Sequence, residues 1–159
     1  MAVQPVPEGY NTVTPYLAVP NAAEAIDFYT RALGAKERSR MAGPGGSVMH
    51  AELEVGDSLI MLSDPFPQAS TKTPKELGGT SVNIFLYVDD IDAAYKQAID
   101  AGATSLMEPD DMFWGDRFGS VEDPFGHTWT IATHIEDVSP EEMQKRSEEF
   151  MASMAGSGS

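Results

Sequence analysis

The sequence contains no cysteine, so disulfide bonds, thiolate metal sites and a cysteine nucleophile are all excluded. No apolar run approaches the roughly 18 residues that a transmembrane helix needs. The N-terminus also lacks the basic-then-apolar pattern of a signal peptide. We therefore expect a cytoplasmic protein that has no membrane partner.

Positive charge is scarce, because 10 lysines and arginines face 25 aspartates and glutamates and leave a net charge of −15. An acidic surface of this kind repels the phosphate backbone of nucleic acids and the headgroups of anionic membranes. We therefore expect neither as a partner. The acidity is compatible with a cationic ligand, but it is more typical of a surface that only keeps the protein in solution.

Two strand-like runs, 117–122 and 128–133, flank the turn Asp123-Pro124-Phe125-Gly126. Proline at the second turn position presets φ, and glycine at the fourth accepts a positive φ, so the pattern predicts a hairpin. The chain of 159 residues, with 42% hydrophobic residues, suffices for one domain or two fused halves.

In the first half of the chain, apolar and polar residues alternate as in a strand and apolar residues then recur at the spacing of a helix. Thr12–Val19 predicts a strand, and Ala22–Leu33 predicts a helix with Asn21 as its N-cap and Gly34 as its stop. Three further strands are predicted at 35–41, 48–55 and 58–63, with turns between them. The order is β-α-β-β-β.

The second half repeats this order with a period of about 69 residues, measured from Leu17 to Leu86. Ser81–Val88 predicts a strand, Ile91–Ala101 a helix capped by Asp90, and 103–107 a strand that precedes the hairpin. The sequence thus predicts an α+β fold of two β-α-β-β-β modules. Module one spans 12–64, a proline-rich linker 65–80, and module two 81–134.

A C-terminal helix is predicted within 135–155, since Ser139-Pro140-Glu141-Glu142 has the residues of a capping box. Its apolar side is expected to dock on its own domain or on a partner chain and consists of Met143, Phe150, Met151 and Met154. Residues 156–159 are small and polar and are expected to be disordered.

The paired modules resemble the vicinal oxygen chelate superfamily, which includes glyoxalase I, extradiol dioxygenases and bleomycin-resistance proteins. The segments VPNAAEAIDFYTRALGA and EDPFGHTWTIAT carry this resemblance. HAELEVGDSLIMLSD, WGDRFG and DPFGHTW are most similar to its PhnB-like branch, whose members are mostly of unassigned activity. The resemblance covers 12–134 and implies two curled sheets that form a cleft, with helices on the convex side.

Metal-dependent members of that superfamily carry one ligand on the first and one on the last strand of each module. By this resemblance, the four places fall on Thr14, Met61, Asn83 and Thr130. Hydroxyl, amide and thioether groups lack the basic nitrogen and charged oxygen that hold a catalytic divalent ion. We therefore expect no metal and no cofactor.

Strand alternation assigns the remaining side chains to faces. We expect the side chains of Val13, Leu17 and Val19 to pack against the helices. In module two we expect the same of Val82, Ile84, Leu86 and Val88. The cleft would then be lined by aromatic rings and a few hydroxyls, which suits an organic ligand, although the rings could also simply fill the gap between the sheets. The residues predicted to bind that ligand are Thr14, Tyr16, His50, Met61, Asn83, Phe85, Trp114, Arg117 and Thr130.

His50 and Glu52 lie two residues apart on a strand and share one face, so they are candidates for an acid–base couple or for a solvated pair at the cleft rim. Trp114 and Arg117 suit a polar organic ligand, unless Arg117 pairs with Asp116 or Glu122. His127 is expected to be structural, and His134 exposed.

The sequence favours a small-molecule binding protein without the superfamily's metal site, of a sequestering or resistance type. The alternative is a glyoxalase-like or dioxygenase-like enzyme that uses a non-standard or metal-free site. Because members of the superfamily complete the cleft or cover sheet edges by pairing, we also expect a homodimer.

Overall fold

Each half of the chain forms a four-stranded sheet in a computed structural model that describes residues 2–158. The first half contains β1 (Tyr16–Ala18), α1 (Ala22–Leu33), β2 (Lys36–Ala42), β3 (Val48–Val55) and β4 (Ser58–Ser63). The second contains α2 (Pro74–Leu77), β5 (Asn83–Tyr87), α3 (Ile91–Ala101), β6 (Thr104–Asp111), β7 (Asp116–Glu122) and β8 (Thr128–His134). Helix α4 (Pro140–Gly156) follows. The predicted α+β fold of two β-α-β-β-β modules is confirmed.

The two sheets have the same topology, with the strand orders β1-β4-β3-β2 and β5-β8-β7-β6. In each sheet the first strand pairs in parallel with the last, and the other pairs are antiparallel. Tyr16 lies opposite Met61, and Phe85 lies opposite Thr130. These registers match the repeat seen in the sequence.

The helix caps are also duplicated, as predicted. The Asn21 side chain accepts a hydrogen bond from the Glu24 amide at 3.2 Å, and the Asp90 side chain accepts one from the Ala93 amide at 3.1 Å. Gly34 ends α1 with φ 65°, a conformation that a residue with a Cβ rarely adopts. The same local chemistry therefore starts both helices.

The first strand of each module is shorter than the alternation predicts. Pro15 has no backbone N–H, and the Thr14 hydroxyl bonds to the Asn11 carbonyl at 3.5 Å, so strand β1 starts only at Tyr16. Val13 is 84% exposed, and its predicted place against the helices is wrong. Val82 is likewise exposed, because the Thr80 hydroxyl bonds to the Val82 amide and carbonyl and replaces ladder bonds there.

The segment between the modules contains α2, which the sequence analysis read only as linker. Thr73 caps this helix, and its amide and hydroxyl both bond to the Glu76 carboxylate in a capping box. The capping-box sequence Thr73-Pro74-Lys75-Glu76 is therefore a signal in the sequence itself that a helix starts here. A Cβ on Gly126 would lie 2.9 Å from the Pro74 side chain, so the linker packs directly on the hairpin turn.

The C-terminal helix starts at Pro140, with Ser139 accepting a hydrogen bond from the Glu142 amide at 3.2 Å. Arg146 ties it to the domain, since its guanidinium donates to the Glu136 carboxylate and to the Phe113 carbonyl. The helix extends to Gly156, and the predicted disordered tail includes Ser159, which lies outside the described residues. None of the helices within residues 2–158 has the length and apolarity needed to cross a membrane.

The modules are joined by a buried carboxylate, Asp123, which is 3% exposed. One oxygen accepts from the Tyr29 hydroxyl of α1 at 2.5 Å and from the Trp129 indole at 2.9 Å. The other accepts from the backbone amides of Phe125 and His127, each at 2.9 Å. Burial, followed by the charge of Asp123, raises the pKa of Tyr29 well above its usual value and keeps the phenol a donor.

We expect Asp123→Asn to lower the free energy of unfolding by about 3 kcal/mol, because the amide would turn a donor towards groups that are themselves donors. Urea unfolding followed by circular dichroism measures the change. Asp27→Asn, on the exposed side of α1, is the matched control and should shift stability by less than about 0.5 kcal/mol. A loss below about 1 kcal/mol for Asp123→Asn would contradict the role of this carboxylate.

Candidate functional site

Each sheet is covered by helices on one side and open on the other. On β3, Ala51 and Leu53 are fully buried, whereas His50 and Glu52 point to the other side and are half-buried. The first open face consists of Tyr16, His50, Glu52 and Met61. The second open face consists of Asn83, Phe85, Tyr87, Ser120 and Thr130.

The first open face contains a row of three polar side chains. The Tyr16 hydroxyl lies 3.0 Å from Nδ1 of His50, and Nε2 of His50 lies 3.4 Å from Oε1 of Glu52. Since a carboxylate only accepts, Nε2 of His50 is the donor to Glu52, while Nδ1 faces the Tyr16 hydroxyl. The structure thus brings together three of the residues predicted from the sequence.

Glu52 is surrounded by donors. The Tyr10 hydroxyl beside it is the largest cause that lowers the pKa of Glu52, and His50 and Ser39 lower it further. Desolvation, followed by the neighbouring carboxylate, raises the pKa of Tyr10 to about 12. At neutral pH the site therefore holds a carboxylate ion beside a neutral phenol. Sequence reasoning missed Tyr10, which precedes Glu52 by 42 residues and lies outside the helices and strands.

The polar side chains around Thr130 on the second open face are neutral. Asn83 Nδ2 donates to Oγ1 of Thr130 at 2.6 Å, and the Ser120 hydroxyl lies 2.9 Å from the same oxygen. Thr130 is only 2% exposed, while Phe85 is 46% and Tyr87 65% exposed, with their ring centres 5.1 Å apart. Two aromatic rings therefore stand beside a polar patch whose hydrogen bonds are already satisfied.

The four positions that correspond to metal ligands do not fit a divalent ion. Thr14 bonds to a backbone carbonyl, Asn83 and Thr130 bond to each other, and Met61 offers only a thioether. Across residues 2–158, no three histidine, cysteine, aspartate or glutamate side chains are grouped so as to hold a metal. The donor chemistry, rather than the spacing, is what disfavours a metal here.

Trp114 and Arg117 do not act together. Trp114 packs on Phe118 and Phe113 at centroid distances of 5.4 and 5.1 Å, and Phe113 in turn contacts Phe150 of α4. The Arg117 guanidinium pairs with Asp92 of α3 at 2.9 Å and with Asp111 at 3.0 Å, which raises its pKa. Arg117 is thus held in ion pairs, as in the alternative considered from the sequence, but its partners are Asp92 and Asp111 rather than Asp116 or Glu122.

Asp116 belongs to a second polar cluster that the sequence analysis did not identify. This carboxylate is 5% exposed, accepts from the Tyr87 hydroxyl at 2.9 Å and lies 2.8 Å from Nδ1 of His134. Nε2 of His134 lies 2.8 Å from Asp137, and the hydrogen bonds to Asp137 and then Asp116 raise the pKa of His134. His134 is exposed as expected, yet both its nitrogens are paired.

His127 is structural, as predicted, since its Nε2 lies 3.0 Å from the Ala18 carbonyl in the other module. A cleft of about 710 Å³ also separates the modules, between the β3–β4 turn and the β5–α3 region. Of the residues predicted to bind a ligand, only Phe85 lines it. Its other walls include Leu33, Val55, Asp57, Tyr87, Asp89 and Gln97.

Sequence comparison identifies relatives of this chain. It is 44% identical over 135 residues to an uncharacterized protein of Mycobacterium bovis, a match that covers 83% of this chain and 89% of that protein. An uncharacterized protein of Arabidopsis thaliana is 30% identical over 116 residues, which is 69% of each chain. The similarity therefore extends over most of both proteins.

Solved structures with this fold include TioX from Micromonospora sp. ML1, at 26% identity and a TM-score of 0.64, covering 79% of this chain and 99% of that one. A PhnB protein from Bacillus cereus matches at 20% identity with a TM-score of 0.60, covering 77% and 99%, and shows the shared fold. The sequence profile of the Glyoxalase/Bleomycin resistance protein/Dioxygenase superfamily matches residues 9–131. The chain therefore belongs to this superfamily, the vicinal oxygen chelate group.

Proposed function

We propose that this protein binds a small organic molecule at its open sheet faces without the superfamily's metal. The observation that carries the proposal is the chemistry of the second open face. Its polar side chains at the ligand positions are neutral and bonded to one another, while Phe85 and Tyr87 beside them are exposed. Exposed aromatic rings around a few fixed polar groups are typical of sites for organic ligands.

The first open face supports the same proposal and adds charge. The Glu52 carboxylate accepts hydrogen bonds, and Tyr16 supplies a half-exposed ring next to it. A ligand that combines a donor group with a flat apolar part would satisfy both. Sequestration of such a compound requires no chemistry beyond binding.

A second candidate function is acid–base catalysis by the Tyr16–His50–Glu52 row. The observation in its favour is that both imidazole nitrogens of His50 are oriented, one by a hydroxyl and one by a carboxylate. Turnover of a bound compound that is lost in His50→Gln but retained in Leu77→Ala would support catalysis over sequestration.

Titration calorimetry on chelator-stripped protein tests the absence of the superfamily's metal. With zinc, nickel, manganese or ferrous iron we expect no stoichiometric site tighter than about 10 μM, or about −7 kcal/mol. The reason is that Thr14, Met61, Asn83 and Thr130 offer no charged or imidazole ligand. A tight site that disappears in His50→Ala or Glu52→Ala would reverse the proposal in favour of a metalloenzyme.

Native mass spectrometry after incubation with a metabolite mixture should reveal a bound organic compound. In calorimetry with the recovered compound, we expect either His50→Ala or Phe85→Ala to weaken binding about tenfold, roughly 1.4 kcal/mol, and so to identify the face that holds it. The matched control is Leu77→Ala, an exposed position on α2. The proposal fails if both face variants bind as tightly as the control.

We further propose a homodimer that covers part of these surfaces. Met151 and Met154 on α4 are 67% and 60% exposed, a large apolar exposure for a helix that already touches the domain through Phe150. Burying them against a second copy would also protect the exposed strand edges.

Sedimentation equilibrium at about 20 μM should therefore show a dimer for the wild-type chain. Met151→Glu combined with Met154→Glu should shift it to monomer, because a charge in an apolar interface loses its hydration without gaining a partner. Glu149→Gln, on an exposed position of the same helix, should leave the dimer intact. A wild-type chain that sediments only as monomer would refute the dimer.

A further inference from the structure

The N-terminal segment Glu8–Asn11, here called the strap, lies over the first open face. Arg38 Nη2 donates to the Glu8 carbonyl at 3.0 Å, and the Arg38 guanidinium lies 5.6 Å from the centre of the Tyr10 ring. A Cβ on Gly9 would come within 2.7 Å of Arg38 and 3.5 Å of Leu59. Gly9 also has φ +84°, which favours glycine.

The strap covers part of the sheet that would otherwise be open. Leu59 has the same strand parity as Met61 and therefore belongs to the open side of β4, yet it is only 7% exposed. Gly9 lies close to Leu59 and contributes to this burial. The first open face is thus partly filled by the protein's own chain.

The Tyr10 side chain is the part of the strap that reaches the polar row. Its hydroxyl is sealed from solvent and has no well-formed hydrogen bond within the described residues, although the Glu52 carboxylate lies beside it. A buried hydroxyl without a good partner is held less firmly than a satisfied one. The ring contacts a cation and the hydroxyl faces an anion. Arg38 and the Thr14 hydroxyl each bond to a backbone carbonyl of the strap.

We propose that Tyr10 is the built-in occupant of a subsite for a hydroxyl-bearing aromatic ring, and that a ligand of this class binds by displacing the strap. This inference rests on the proposed binding function and specifies a ligand class for one face. A phenol would reproduce the contacts of Tyr10, with its ring against Arg38 and its O–H donated to Glu52.

The charges select the neutral form of such a ligand. The pKa of Glu52 is lowered and that of Tyr10 is raised to about 12, so an ionised acceptor faces a protonated donor. A phenolate or carboxylate in the same position would meet a like charge. The subsite should therefore prefer a phenol over a benzoate of the same size.

The first test needs no ligand. Carboxyl NMR titration of the 159-residue chain should show a higher pKa for Glu52 in Tyr10→Phe than in wild type, because the largest cause that lowers this pKa is removed. The control Glu8→Ala, which keeps the backbone carbonyl bonded by Arg38, should leave that pKa unchanged. An unchanged pKa in Tyr10→Phe would overturn the proposal.

The second test uses p-cresol as the probe and follows the methyl signals of Leu59 and Met61 by NMR. We expect Tyr10→Ala to bind p-cresol about tenfold more tightly than wild type. This gain corresponds to a wild-type strap that occupies the subsite in about 90% of the molecules. Toluene should show no such gain, and adding Glu52→Gln to Tyr10→Ala should abolish it.

Equal affinity of p-cresol for wild type and Tyr10→Ala, or no binding to either, would overturn the subsite. A metabolite that shifts only signals of the second open face would leave the proposed binding function standing while this inference fails. Failure of the metabolite screen alongside a tenfold gain for p-cresol would instead favour the subsite and place the natural ligand outside the mixture.

Discussion

The buried carboxylate of Asp123 is the interaction on which the arrangement of the two modules depends. It accepts four hydrogen bonds, from Tyr29 in module one and from Trp129 and two backbone amides in module two. A charge this deep is tolerable only when its oxygens are fully bonded, so the hairpin turn, the indole and helix α1 must all be in place together. The turn that closes the second sheet therefore also fastens that sheet to the first module.

Fastening the modules through their helix-covered sides leaves the other side of each sheet without a protein layer. Helices α1 and α3 contact one another, and the core lies between them and the sheets. The open faces consequently display Tyr16, Phe85 and Tyr87, which a packed domain would normally cover. The functional surface is in this sense a consequence of how the core is built.

The two modules share a backbone plan but have diverged in chemistry. Asp64 accepts from the amides of Ala22 and Val48, whereas the equivalent Thr133 uses a hydroxyl to accept from the Ile91 amide. The first open face keeps an ionised Glu52 beside His50. Around Thr130 the second has a network of hydroxyl and amide groups, and its carboxylate, Asp116, is bonded by Tyr87 and His134. The two modules have the same fold but present different surfaces. The first suits a ligand group that donates a hydrogen bond, and the second suits an apolar ring.

The sequence by itself determined the local plan, because caps, stop glycines and alternation act within a few residues: Asn21, Asp90 and Gly34 do what their identity predicts. It also placed His50 and Glu52 on one face through the two-residue period of a strand. It could not show that Tyr10 lies beside Glu52, that His134 is held by Asp116 and Asp137, or that Arg117 pairs with Asp92. Those contacts join residues from separate elements or irregular segments, and only the packing of the tertiary structure decides which of many possible charged partners meet.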